Sequence, residues 1–187
     1  MQVIAGKARR LQLVTVPGQE TRPTSNQIKE TLFNILQPEL QSCRFLDLFA
    51  GSGGIGIEAL SRGAEHAVFV DNSRSAVQCI RQNLEHTKLA DAAEVYQADA
   101  VSAVRRLGSR GMSFDLVFLD PPYDADLEMT VLAAVTESGI LAEDALIVVE
   151  ARKAKELIGL EELGLCLVRE KVYKNNKHLF LRVRKEP

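Results

Sequence analysis

Cysteine is scarce: Cys43, Cys79 and Cys166 lie far apart in 187 residues, form no C-x-x-C pair and do not cluster with His66, His86 or His178. The sequence therefore offers no metal site, and its cysteines read as small buried hydrophobes. Long apolar runs are missing as well, with nothing near the ~18 consecutive apolar residues that a membrane span requires. The opening Met1-Gln2-Val3-Ile4-Ala5-Gly6-Lys7 lacks the basic start and apolar stretch of a secretory leader. Internal repeats and low-complexity segments are absent too. A cytoplasmic protein with no membrane partner is the expectation.

What is present suits one globular domain with a small appendage: 46% of residues are hydrophobic and 26% are charged. The net charge of −2 is unevenly spread. Residues 1–44 carry six basic and three acidic side chains, and residues 168–187 carry seven and two, which leaves −10 for the middle. Basic ends around an acidic centre suit ends that meet phosphate and a centre that houses a cationic ligand. Lysine and arginine that merely solvate edge strands would look the same.

From residue 45 short apolar runs alternate with helical patterns. Phe45–Ala50, Ala67–Val70, Ala93–Gln97, Phe114–Leu119 and Ala145–Val149 read as strands. Ile55–Arg62, Ser73–His86, Ala100–Leu107 and a segment with Leu127, Val131, Leu132 and Val135 at helical spacing read as helices. This alternation means βαβ units around a parallel sheet, and runs such as Leu116-Val117-Phe118-Leu119 mean that both faces are covered. Leu165–Tyr173 and His178–Arg184 then read as a hairpin turning at Lys174-Asn175-Asn176-Lys177, where asparagine tolerates positive φ. The expected fold is an α/β Rossmann-like sheet of seven strands, mixed because the last hairpin is antiparallel, with helices on both faces. Residues 1–36 are expected as an N-terminal extension and 37–187 as the main domain. In the extension, Gln2–Ile4 and Leu11–Val16 are expected to pair as a small basic hairpin. Thr24 or Ser25 is expected to cap a helix bearing Ile28, Leu32, Ile35 and Leu36.

Asp47-Leu48-Phe49-Ala50-Gly51-Ser52-Gly53-Gly54-Ile55-Gly56 leaves a strand and enters a helix, so Gly51, Gly53 and Gly56 fit G-x-G-x-x-G in its proper context. Asp71 ends the next strand 20 residues after Gly51, where an acid accepts hydrogen bonds from ribose hydroxyls. A dinucleotide and S-adenosylmethionine both fit these features. Asp47 favours the second, since a carboxylate suits the ammonium of a methionine tail and repels a pyrophosphate; a strand-end acid bonded to nearby amides is the plainer alternative. Asp99 follows the third strand, where adenine edges are met, and equally well reads as a helix N-cap.

Asp120-Pro121-Pro122-Tyr123 follows the fourth buried strand, whose end faces the same crevice as the glycine loop. Two prolines fix two φ angles and remove two donors. The stiff loop that results offers the Asp120 carboxylate and the Pro121 carbonyl to the two N–H donors of an exocyclic amine, with Tyr123 as a face on which an extruded base stacks. Methyl transfer from a sulfonium to such an amine requires orientation and no metal, and orientation is worth up to ~7–11 kcal/mol.

Together these residues resemble the class I methyltransferases that act on amino or amide nitrogens. The whole chain is similar to the bacterial 16S rRNA guanine-N2 methyltransferases of the RsmD type. Val3-Ile4-Ala5-Gly6, Arg9-Arg10-Leu11, Arg22-Pro23-Thr24, Lys29-Glu30-Thr31-Leu32-Phe33-Asn34, Asp47–Gly56, Asp71, Asp99-Ala100 and Asp120–Tyr123 carry the match. The sequence departs from that family where Lys174 follows Tyr173 in place of glycine, and in a shorter N-terminal hairpin. The resemblance implies S-adenosylmethionine held by Asp47, Phe49, Gly51, Gly53, Asp71, Asn72, Asp99 and Ala100. It implies a guanine N2 held by Asp120, Pro121, Pro122 and Tyr123, with Arg9, Arg10, Arg22 and Thr24 on the substrate side. It further implies a monomer acting on 16S rRNA in the assembling small ribosomal subunit. The competing readings are an amino-group methyltransferase for adenine N6 or a protein glutamine, a nicotinamide oxidoreductase that leaves Asp120–Tyr123 unexplained, and an RNA-binding assembly factor without catalysis.

Overall fold

The computed structural model describes residues 1–16, 26–123, 125 and 127–184. Five parallel strands, β1 (Arg44–Leu48), β2 (His66–Asp71), β3 (Ala93–Gln97), β4 (Phe114–Leu119) and β5 (Leu141–Arg152), continue into an antiparallel pair, β6 (Leu165–Val172) and β7 (Asn176–Val183). They form one seven-stranded sheet in the order β3-β2-β1-β4-β5-β7-β6. The order reverses between β1 and β4, which opens a crevice at their carboxyl ends.

Strand alternation divides the core. Phe45, Phe69, Leu116, Phe118, Val148 and Phe180 face α1 (Asn26–Leu40), α2 (Gly54–Arg62) and α3 (Arg74–His86). Leu46, Val68, Val117, Leu119, Val149 and Leu181 face α4 (Ala100–Ser109) and α5 (Glu128–Glu137). The inner strands β1, β2, β4 and β5 are therefore apolar on both faces over their buried runs, as those runs in the sequence imply. Helix α2 lies close to the sheet because Gly56 has no side chain; a Cβ there would sit 2.3 Å from Phe69 Cε1.

The N-terminal segments pair antiparallel as expected, in reduced form. Gln2 and Gln12 make an isolated bridge, supplemented by Val3 N–H to Leu11 O at 3.0 Å and Leu13 N–H to Met1 O at 2.8 Å. The connection between them docks on α2: Lys7 N–H donates to Ser61 O at 2.8 Å and Ala8 N–H to Ser61 Oγ at 2.9 Å. The boundary expected after residue 36 falls within α1, which runs to Leu40 and packs into the first core. Thr24 and Ser25, the expected cap of α1, lie outside the described residues. The last hairpin forms, with a different turn. Tyr173 N–H donates to Asn176 O at 2.8 Å, Asn176 already opens β7, and neither asparagine takes a positive φ. A turn this tight uses the strand ends themselves.

A buried ion network staples the segment down. Glu58 on α2 accepts from the amides of Ile4 at 2.9 Å and Ala5 at 3.0 Å and from Arg62 Nε at 2.7 Å. Fully buried Lys29 lies 3.2 Å from Glu58 and donates to Gln2 O at 2.6 Å. Burial holds the Lys29 ammonium below its usual range, and the Glu58 carboxylate opposes that shift. Replacing Glu58 with alanine leaves two amides without their acceptor and a buried ammonium without its counter-charge. A loss of roughly 3–5 kcal/mol in urea unfolding is expected, and a loss under ~1 kcal/mol would contradict this account of the network.

Candidate active site

The loop between β1 and α2 winds through three left-handed residues, Phe49 (φ +65°), Gly51 (φ +56°) and Gly53 (φ +80°). A Cβ built on Gly51 would meet nothing within 4 Å, so that glycine faces open space. Asp71, at the end of β2, supports the loop: one carboxylate oxygen accepts Gly51 N–H at 2.8 Å and the other accepts Ser73 N–H at 2.8 Å. Each oxygen keeps a further lone pair for a ligand hydroxyl. Asn72 beside it is exposed. Asp99 is exposed and caps α4, accepting Ser102 N–H at 2.9 Å, which holds its carboxyl below the usual range; Ala100 opens that helix and is buried. Phe49 packs against the second core from the strand end.

Register brings the acids together. Beyond the last paired rungs Leu48↔Val70, Leu48↔Leu119 and Leu119↔Val149, the next rung holds Asp71, Phe49, Asp120 and Glu150, and Glu150 itself pairs with His178 on β7. Asp47 lies on the same sheet face, two residues back on β1. Asp47 is 1% exposed, and its Oδ2 accepts Gly56 N–H at 2.9 Å, so the plainer reading, an acid bonded to a nearby amide, holds for that oxygen. Burial pushes the Asp47 carboxyl up to about 7 against that hydrogen bond, with Asp71 adding to the rise. Asp120, half-buried, is raised well above the ordinary carboxylate range by burial first, then by the charges of Glu150 and Asp47. Among the described residues no salt bridge neutralises Asp47, Asp71 or Asp120.

Behind the Asp120–Tyr123 loop lies a network for which the sequence carries no motif. Glu150, 5% exposed, accepts from Asn176 Nδ2 at 2.7 Å and lies 3.0 Å from His178 Nε2. Tyr173 Oη stands 3.3 Å from His178 Nδ1, and Tyr123 Oη donates to Glu150 at 3.4 Å. The Arg152 guanidinium lies over the Tyr123 ring, 5.3 Å from its centre. The available clue was positional: like Asp71 and Asp120, Glu150 follows directly on a buried apolar run.

Other expected residues lie apart from this cluster. Arg9 and Arg10 are exposed on the N-terminal loop, which bonds to Ser61 in the last turn of α2, whereas the glycine loop enters the first turn, roughly 10 Å away along the helix. Arg22 and Thr24 lie outside the described residues. An open groove lined by Lys7, Gln41, Leu60 and Leu89 sits at the opposite edge of the sheet and gathers no set of catalytic side chains.

The burial of Asp47 predicts a pH signature in the ligand-free protein. Its folded pKa lies above its unfolded value, so stability is lost as pH climbs from about 4 to about 7. Asp47→Asn should remove that dependence and stabilise the free protein by roughly 1–3 kcal/mol at pH 8, a few degrees in thermal unfolding. A destabilised variant at pH 8 would show that the carboxylate is not strained.

The sequence and the fold match known proteins along nearly the whole chain. A Bacillus subtilis protein provisionally named rRNA methyltransferase YlbH is 42% identical over 174 residues, covering 92% of this chain and 94% of that one. The Haemophilus influenzae ribosomal RNA small subunit methyltransferase D is 34% identical over 182 residues, covering 94% of each. A solved structure of the Escherichia coli protein yhhF, provisionally called a methyltransferase, superposes with a TM-score of 0.85 at 33% identity, covering 100% of this chain and 99% of that one. A family model described as Conserved hypothetical protein 95 matches residues 1–182, and the chain belongs to that family, the one that includes ribosomal RNA small subunit methyltransferase D.

Proposed function

We propose that this protein transfers a methyl group from S-adenosylmethionine to the exocyclic N2 of a guanine in small-subunit rRNA. The observation that carries the reading is the shared rung: the rigid Asp120-Pro121-Pro122-Tyr123 loop leaves β4 beside the carboxylates and glycine loop of β1 and β2. The crevice fits the cofactor by charge. Three unneutralised aspartates repel a pyrophosphate and attract the sulfonium and ammonium of S-adenosylmethionine, and Gly51 leaves open space where the ligand would lie. This argues against the dinucleotide alternative. The names of the relatives, rRNA methyltransferase and ribosomal RNA small subunit methyltransferase D, support the RNA substrate.

Bound S-adenosylmethionine supplies an electrophilic methyl group that moves by in-line displacement. The chain does the rest. Asp71 takes the ribose hydroxyls, Asp47 the ammonium, and Asp99 with Ala100 the adenine edge. The Asp120 carboxylate and the Pro121 carbonyl accept the two amine N–H groups, which aims the nitrogen lone pair. Pro121 and Pro122 hold this geometry without competing donors. Tyr123 stacks the extruded base, as proteins do when they read unstacked RNA bases. When the N–C bond forms and the C–S bond breaks, its electron pair stays on sulfur. The nitrogen becomes cationic, and Asp120, on its way to water, takes the proton. A cation beside Asp120 also restores the ionised form that burial disfavours. No membrane partner enters this account, and no described helix is long and apolar enough to cross a membrane. Exposed basic side chains near both chain ends would position the RNA through phosphate, and a monomer working in the cytoplasm suffices.

The test supplies methyl-labelled S-adenosylmethionine and small ribosomal subunits from cells lacking the protein, then identifies the labelled nucleoside after digestion. Label is expected in N2-methylguanosine, reduced roughly 10²–10³-fold by Asp120→Ala, the range seen when one transition-state hydrogen-bonding group is deleted. Label in N6-methyladenosine would sink the guanine assignment. Transfer to a protein glutamine would sink the RNA assignment.

A further inference from the structure

We infer that Glu150 is a positioning residue of this active site: it anchors Tyr123 and, as the neighbour of Asp120 on the next strand, sets the charge that Asp120 presents to the substrate amine. The inference rests on the methyl-transfer reading above.

Placement comes first. Parallel pairing carries Leu119↔Val149 one rung on to Asp120 and Glu150, so the two carboxylates project from adjacent strand ends on one face of the sheet. On the other side Glu150 pairs with His178. Its two oxygens serve different elements. Oε1 accepts from Asn176 Nδ2 at 2.7 Å and from Tyr123 Oη at 3.4 Å, which ties β7 to the catalytic loop. Oε2 faces His178 Nε2 at 3.0 Å. A carboxylate accepts, so Nε2 is the donor; in the neutral ring Nδ1 then accepts from Tyr173 Oη, 3.3 Å away. Tyrosine, histidine and carboxylate thus form a directed chain whose donors all point toward Glu150. Arg152 covers one face of the Tyr123 ring while Glu150 holds its hydroxyl, so the ring is fixed as a wall for a base on the other face.

The charge is the informative part. A glutamine at position 150 could accept through its amide oxygen from Asn176 and Tyr123 and would fill the same space. Packing and the bonds to Asn176 and Tyr123 therefore do not by themselves call for a negative charge beside Asp120, where like charges are costly, although the second oxygen also serves His178 Nε2. What the charge does is act on Asp120, which is raised by burial, then by Glu150 and Asp47. The groups that face the pair are Asp47 from β1, Tyr123 in the loop, His178 and Asn176 from β7, and Tyr173 with Arg169 nearby from the β6 end. Glu150 thereby makes Asp120 a better proton acceptor for the amine that becomes cationic, and strengthens its pull on that nitrogen as charge develops.

The experiment compares wild type, Glu150→Gln, Glu150→Asp and Tyr123→Phe for S-adenosylmethionine affinity and for kcat and KM on small subunits between pH 5 and 9. Activity requires ionised Asp120, so the acid limb of kcat reports its titration. Removing the neighbouring charge should move that limb to lower pH by roughly half to one unit and lower kcat roughly tenfold, with cofactor affinity within about twofold of wild type. Glu150→Asp, which keeps the charge, should restore the position of the limb. Tyr123→Phe, a loop change that leaves the core intact, should raise KM and leave the limb in place. A Glu150→Gln enzyme with unchanged kcat and an unmoved limb overturns the inference while leaving guanine methylation standing. So does an acid limb that stays displaced in Glu150→Asp. A wild-type protein that binds S-adenosylmethionine yet leaves the subunits unlabelled overturns the underlying reading instead.

Discussion

Negative charge held at one edge of the sheet, where among the described residues no salt bridge reaches Asp47 or Asp120, governs this molecule. Two unit charges a few ångströms apart repel far more strongly in a protein interior than in water. Asp47, Asp120 and Glu150 nonetheless converge on one face, and burial and mutual repulsion push the first two carboxyls up. A folded chain tolerates such a cluster when something else completes it. Here the missing component is positive, and the glycine loop with its open space at Gly51 lies directly beside it.

The rest of the architecture serves that arrangement. Parallel strands bring their carboxyl ends to one edge, so an acid closing each strand lands beside the next without any long-range device. Gly56 lets α2 sit close on Phe69, which puts the Gly56 amide 2.9 Å from Asp47. The contrast with Glu58 is instructive. That carboxylate is equally buried, but Lys29, Arg62 and two amides satisfy it, and it does structural work by holding the N-terminal segment. One buried acid is neutralised by the chain itself. Asp47 and Asp120 have no such counter-charge among the described residues. Behind them Glu150, bonded to His178, which in turn meets Tyr173, holds the Tyr123 hydroxyl.

Much of this was legible in the sequence because strand and loop chemistry is local. Phe114–Leu119 is bounded by Pro121 and Pro122 and appears with the expected limits, and Gly63 stops α2 where expected, with φ +122°. The mixed seven-stranded sheet followed from alternating patterns and a terminal hairpin. The docking of the N-terminal loop on α2 did not, because the amides of Lys7 and Ala8 go to Ser61, more than fifty residues away, and no local pattern announces that choice. Glu150 was missed for the same reason. A single glutamate after an apolar run has no motif, and its partners Asn176 and His178 arrive 26 and 28 residues later on a strand that folds back antiparallel. The local part of the Asp47 and Asp99 readings, a bond to a backbone amide, is visible in the fold; their part in holding a ligand depends on chemistry that only binding reveals.

The most direct test of the central claim is a proton count on cofactor binding. Calorimetric titration of the free protein with S-adenosylmethionine near pH 6.5, in two buffers of different ionisation enthalpy, measures the protons released per ligand bound. If strained carboxylates await a cation, Asp47 with its pKa of about 7 must ionise as the ligand enters. Roughly half to one proton should then be released, with affinity weakening as pH falls below 7. Binding without proton release, or equal binding of a pyrophosphate-bearing dinucleotide, would contradict the account.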